Sequence, residues 1–129
     1  MQKVLITVIA VLFSFAAFSQ DFSNKGKDFW VAYGYHQQMT NGSVAGGTQD
    51  MVLYFATDQL TNITITIPGI PFTVQNITTA AGNNVVTSVT IPKTGANDVR
   101  LTAEGLSNKG IHITSDKPMV AYAHHLPRS

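Results

Sequence analysis

The stretch Asn62-Ile63-Thr64-Ile65-Thr66-Ile67 decides the fold class. Its isoleucines recur at every second position, so an extended chain puts all of them on one face and the threonines on the other. A helix, with about 3.6 residues per turn, would scatter the same isoleucines around its circumference. The β-branched side chains favour the strand as well, because they pack well on a pleated surface and are stiff in a helix. Pro68-Gly69 closes the run with a turn pair.

Outward from this strand the same punctuation repeats. Phe72-Thr73-Val74 resumes an extended pattern, Ala81-Gly82-Asn83-Asn84 turns the chain, and Val85 to Ile91 is a β-branched run stopped by Pro92. Phe29 to Tyr35, Met51 to Thr57, Val99 to Ala103, Gly110 to Thr114 and Met119 to His124 are further strand candidates. No segment after residue 20 combines apolar residues at helical spacing with capping residues. About eight short strands with no helix to cover them predict an all-β, antiparallel β-sandwich-like domain, since one sheet must bury a face against another. Residues 37–49 (QQMTNGSVAGGTQ) are too small and polar to build a core and read as a surface loop.

The beginning of the chain has a different character. Lys3 precedes an apolar run from Val4 to Phe18, interrupted only by Thr7 and Ser14 and shorter than the roughly 20 residues of a membrane span. Ala17-Phe18-Ser19 is a small-x-small site, so residues 1–19 are expected to be a signal peptide cleaved before Gln20. Residues 20–129 then form one exported domain, secreted or at the cell surface, with no membrane span after cleavage. Without Lys3, seven basic side chains face seven acidic ones, and no basic stripe is present to neutralise phosphates. Nucleic acid is therefore not an expected partner. The chain has no cysteine, which excludes disulfides, thiolate metal sites and lipid attachment through sulfur.

Few residues suggest chemistry. Gly105 to Gly110 has the outer spacing of a phosphate loop, but Ile111-His112 follow where Lys-Ser/Thr is needed. Of the histidines, His124 and His125 are adjacent and point to opposite faces of a strand, and His112 lies between isoleucines and faces away from them. A metal site joining His36 to His124 would need the first and last strands to be neighbours. Asp50 and Asp58 flank a strand, while Asp98 and Asp116 sit in turn sequences where carboxylates accept backbone amides. No catalytic, cofactor-binding or metal-binding residue is assigned. Asn41, Asn62 and Asn76 head glycan-acceptor triplets, which chance explains in a chain rich in Asn and Thr.

One tetrapeptide occurs twice, as Ser23-Asn24-Lys25-Gly26 and Ser107-Asn108-Lys109-Gly110, each followed later by Val-Ala-Tyr. The unequal intervals exclude a copied site, so both read as strand-entry turns in which glycine supplies a positive φ. Val31-Ala32-Tyr33 and Val120-Ala121-Tyr122 are expected to be central strands lying near each other in the core.

Asn108 to Tyr122 (NKGIHITSDKPMVAY) resembles the characteristic segment of the IgGFc-binding protein N-terminal domain family. Upstream, Gly26 to Ala32, Met51 to Ala56, the ITI strand before Pro68 and the VT run before Pro92 follow in a similar order. The leader ending Phe18-Ser19-Gln20 resembles those of Bacteroidetes surface proteins. The resemblance spans roughly residues 23–126 and implies a surface module for binding or adhesion, with no catalytic residue to carry over. Members are usually longer, so the chain is expected to be a truncated member, incomplete at the C-terminus and leaving an edge able to pair with another chain or with the missing strands.

The expected function is thus a non-catalytic binding or adhesion module with an extracellular protein or glycan ligand. The alternative is a glycan-binding accessory domain of a carbohydrate-active enzyme, using Trp30, Tyr33, Tyr35 and Tyr54 as stacking surfaces. Strand aromatics are expected mainly to fill the core.

Overall fold

A computed structural model describes residues 24–34, 36, 49–80 and 85–127. The expected leader and most of the 37–49 loop lie outside these residues. No helix among the described residues is long and apolar enough to cross a membrane. The fold is all-β. Its strands are β1 (Gly26–Val31), β2 (Gln49–Thr57), β3 (Asn62–Thr66), β4 (Gln75–Thr78), β5 (Val85–Ile91) and β6 (Ile111–Pro127). A short 3-10 turn covers Gly95–Asn97.

All strand pairs are antiparallel, in the order β4-β3-β6-β2-β5, with β1 paired to β6 outside this path. β6 holds the sheet together. Its first half pairs with β1 and with β3 (Ile65 opposite Ile113), and its second half pairs with β2 (Phe55 opposite Ala121). The sheet is curled, and its buried side chains form one core cluster on the inner face. Because strand side chains alternate, one parity is buried almost throughout: Met51, Leu53 and Phe55 of β2, Ile63 and Ile65 of β3, and Ile111, Ile113 and Met119 of β6. Each such side chain contributes about 1.5–3 kcal/mol when fully withdrawn from water.

Two of the expected strands, Gly110 to Thr114 and Met119 to His124, are one strand. Ser115-Asp116-Lys117-Pro118, the turn sequence that holds Asp116, has the local chemistry of a turn: Ser115 Oγ donates to the Lys117 carbonyl at 2.8 Å. The backbone nonetheless continues. In register with β1, Gly26 faces Met119 while Asp28 faces Thr114, so the extra residues of β6 form a bulge. A bulge accommodates proline, which has no N–H to give the ladder, and it bends the strand where β6 exchanges β3 for β2. Lys117 Nζ reaches the Leu60 carbonyl at 2.9 Å, fastening this bend to the β2–β3 connection.

Other expectations change more simply. Val99 to Ala103 is no strand; only Arg100 makes a bridge, parallel to Tyr33. Phe72 to Val74 leads into β4 without belonging to it, and β1 stops at Val31. The described residues therefore form six strands, against about eight expected. Gly26 and Gly110 do not have positive φ, which is confined to Gly95 and Gly105 among the described glycines. They serve the strand entries by leaving room for rings, since an added Cβ would lie 3.0 Å from Phe29 at Gly26 and 3.4 Å from Trp30 at Gly110. The two Val-Ala-Tyr segments present opposite faces. Tyr33 is buried inward and Tyr122 is outward and exposed, so they are not equivalent core strands.

Candidate functional site

The outer face of the β1-β6-β3-β4 half is polar. The side chains opposite the buried isoleucines are Asp28 and Trp30 of β1, His112 and Thr114 of β6, Thr64 and Thr66 of β3, and Asn76 and Thr78 of β4. Many are linked across strands. Asp116 takes the amide and side chain of Asn62, Thr78 donates to Asn62 Oδ1 at 2.9 Å, and Thr64 donates to Asn76 Oδ1 at 3.0 Å.

Trp30 interrupts this polar surface. It is 61% exposed, so the expectation that strand aromatics fill the core fails at the chain's only tryptophan. The indole lies parallel to the His112 ring, with centroids 4.3 Å apart and planes within 6°. His112 is fixed in turn, since its Nε2–H donates to Asp28 Oδ1 at 3.0 Å. Cross-strand register produces this triple: Trp30 is opposite His112, and Asp28 is one same-face position along β1.

A shallow, open recess of ≈ 450 Å³ adjoins the indole, lined by Trp30, Pro68, Gly69, Ser107, Asn108 and Gly110. Asn108 Nδ2 donates to the Gly69 carbonyl at 2.7 Å, joining the turn after β3 to the segment before β6. Ser107 Oγ accepts the Lys109 amide at 3.2 Å, which leaves its hydroxyl proton to donate elsewhere. The second SNKG copy thus builds one wall of the recess. A larger depression of ≈ 580 Å³ is lined by residues 101–105 alone, and one segment offers no groups converging from different elements.

The remaining candidates separate. His36 meets His125 and not His124: the rings are edge-on with centroids 5.9 Å apart, and His125 also stacks on buried Tyr33 at 5.1 Å. Burial lowers the His125 pKa, helped by the charges of His36 and His124. Burial raises that of Tyr33. His124 is on the other face against Tyr54, as adjacent strand residues must be. No three His, Cys, Asp or Glu side chains among the described residues are placed to hold a metal.

Every described aspartate has its own partner. Asp50 pairs with Lys93 at 2.9 Å, Asp58 with Lys25, and Asp98 with Arg100 at 2.7 Å. Of the aromatics expected to stack on a ligand, Tyr33 is buried, Tyr54 is half-buried and Tyr35 lies outside the described residues. That leaves Trp30. Its backing by His112 was not foreseen, although Asp28 and Trp30 two apart, and a histidine facing away from isoleucines, carried part of the signal. No family model, curated protein or solved structure matches this chain.

Proposed function

We propose that the chain is an exported, non-catalytic binding module working at the cell surface, with adhesion as its context, of the IgGFc-binding protein N-terminal domain type. The observation that carries this reading is Trp30: a large aromatic exposed on a polar strand face and held in one orientation by His112 and Asp28. An aromatic fixed in advance loses little conformational freedom on contact with a ligand. The aspartates support the same reading, because each is engaged by a cation or an amide and none converges on another. The Lys3 and Val4 to Phe18 leader supports export.

The test is binding of the full chain, secreted by a bacterial host, to immobilised extracellular matrix proteins and to a glycan array. Retention that falls on Trp30→Ala supports the reading. A folded chain that binds neither surface, or one retained inside the cell with an intact leader, removes it.

The outer edge of β5 favours a second mode of contact. Its seven residues, VVTSVTI, carry no charge, proline or bulge, and among the described residues only β2 pairs with it, on one side. Such an edge accepts another strand. Placing a charge on the exposed face of this strand with Ser88→Lys should abolish any concentration-dependent association seen by sedimentation; association that persists unchanged excludes β5 as the edge.

A further inference from the structure

We infer that the recess beside Trp30 binds a neutral saccharide, with one pyranose ring laid against the indole surface that borders the recess. This rests on the binding-module reading above and names its ligand class. His112 covers one part of the indole, and Gly110, which brings no side chain, borders its six-membered ring, so indole surface stays open to the recess. A pyranose has the complementary form: an apolar side of C–H groups and a rim of hydroxyls that both donate and accept. The recess has matching groups around its apolar platform. Asn108 keeps Oδ1 as an acceptor because its Nδ2 is used on Gly69, and the Ser107 hydroxyl can donate because its oxygen already accepts the Lys109 amide. Pro68, Gly69 and Gly110 complete the lining with small or apolar surface.

The lining carries no formal charge, which selects against phosphate, acidic peptides and polycations alike. Asp28 and His112 are joined to each other and do not line the recess. They are positioning residues that hold the indole without taking the ligand's charge. The recess is shallow and open, which suits an internal unit of a longer chain as well as its end.

Trp30 is the only tryptophan in the sequence, so the intrinsic fluorescence of the full chain reports from this one site. The probes are cellohexaose, laminarihexaose, xylohexaose and mannohexaose, titrated singly. The expected result is a saturable blue shift with at least one of them, together with protection of the emission from iodide. In calorimetry, Trp30→Ala should weaken that binding by about tenfold or more and Trp30→Phe by less. Both variants should keep the wild-type melting transition because the side chain is mostly in water.

The positioning role has its own readout. His112→Ala should increase indole mobility in time-resolved anisotropy while weakening binding less than Trp30→Ala. Saccharide binding that is undiminished in Trp30→Ala overturns the inference, as does a folded chain that none of these probes shifts. Loss of matrix-protein binding on Trp30→Ala without any saccharide response would overturn the saccharide and leave the binding module standing. A blue shift on concentrating the protein alone would assign the platform to a second copy of the chain and equally overturn it.

Discussion

Asp116 grips Asn62 with both carboxylate oxygens. Oδ1 accepts the Asn62 backbone amide at 2.8 Å and Oδ2 accepts its side-chain Nδ2 at 2.9 Å, joining the bulge of β6 to the first residue of β3. The amide hydrogen bond is the main reason the Asp116 carboxyl titrates below its ordinary value. Asp116→Ala should leave the Asn62 amide without this acceptor and accelerate its hydrogen exchange, with little change at Ile65 in the middle of β3. Asp116→Asn, which keeps one acceptor oxygen, should fall between the two. Unchanged exchange at Asn62 in Asp116→Ala would show that this contact does not order the start of the strand.

The same relationship marks where sequence reading succeeds and where it stops. Alternation in NITITI and in Met51 to Thr57 is a local consequence of one buried face, so strand identity and the inward residues could be read directly. Asp116 as an acceptor of backbone amides was legible too, because the residue type suits that role. That the amide belongs to Asn62, far away in the sequence, depends on pairing, which no local pattern contains. Likewise Ser115 to Pro118 has turn chemistry whether the chain reverses or bulges, and only the partners of β6 decide between them. The Trp30–His112 stack is a product of register and was therefore invisible.

Removal of one residue from that bulge provides a strong test of register. Ile113 and Met119 lie on the same inner face on either side of it. Deleting Lys117 changes the parity between them and turns one half of β6 outside in. The deletion should abolish cooperative thermal unfolding and the near-ultraviolet circular dichroism of packed aromatics. Lys117→Ala loses only the hydrogen bond to Leu60 and should unfold cooperatively. A cooperative, native-like deletion variant would mean that the bulge absorbs the shift.

Gly69 should resist substitution for a reason of space, since its φ is not in the left-handed region. A Cβ there would lie 1.9 Å from the Asn108 carbonyl oxygen and 2.5 Å from its Cβ. Gly69→Ala must therefore push the turn after β3 away from the segment before β6, at a cost of roughly 1–3 kcal/mol. Chemical denaturation should show the loss, and the Trp30 emission should change because the same two segments line its recess. Equal stability of Gly69→Ala and wild type would contradict this close approach.

Core and surface leucines should behave oppositely. Leu53 is fully buried between β5 and β6 on the inner face, whereas Leu106 is fully exposed. Leu53→Ala removes packed methyl groups and should cost about 2–5 kcal/mol, while Leu106→Ala should stay within about 0.5 kcal/mol of wild type. Urea unfolding measures both. A large loss at Leu106 would imply that its loop is covered in solution.

Acid should destabilise the protein over two separable ranges of pH, and the signs follow from the shifted groups. Burial, aided by the charges of His36 and His124, lowers the folded pKa of His125 below its ordinary 6.5. Its contribution to stability is complete above 6.5 and is lost as pH falls through the lower folded value, because the unfolded chain takes up the proton first. At Asp98, burial alone would raise the carboxyl, but hydrogen bonds from the Arg100 side chain and amide, with the charge of Arg100, outweigh it and hold the group below 3.8. This contribution is also present above the ordinary value and lost as pH falls through the folded one. Melting temperature followed from neutral pH to strong acid should decline first below pH 6.5 and again below 3.8. His125→Asn should remove the first decline and leave the second, and Asp98→Asn should shrink the second and leave the first. A first decline that survives in His125→Asn would assign it to another histidine.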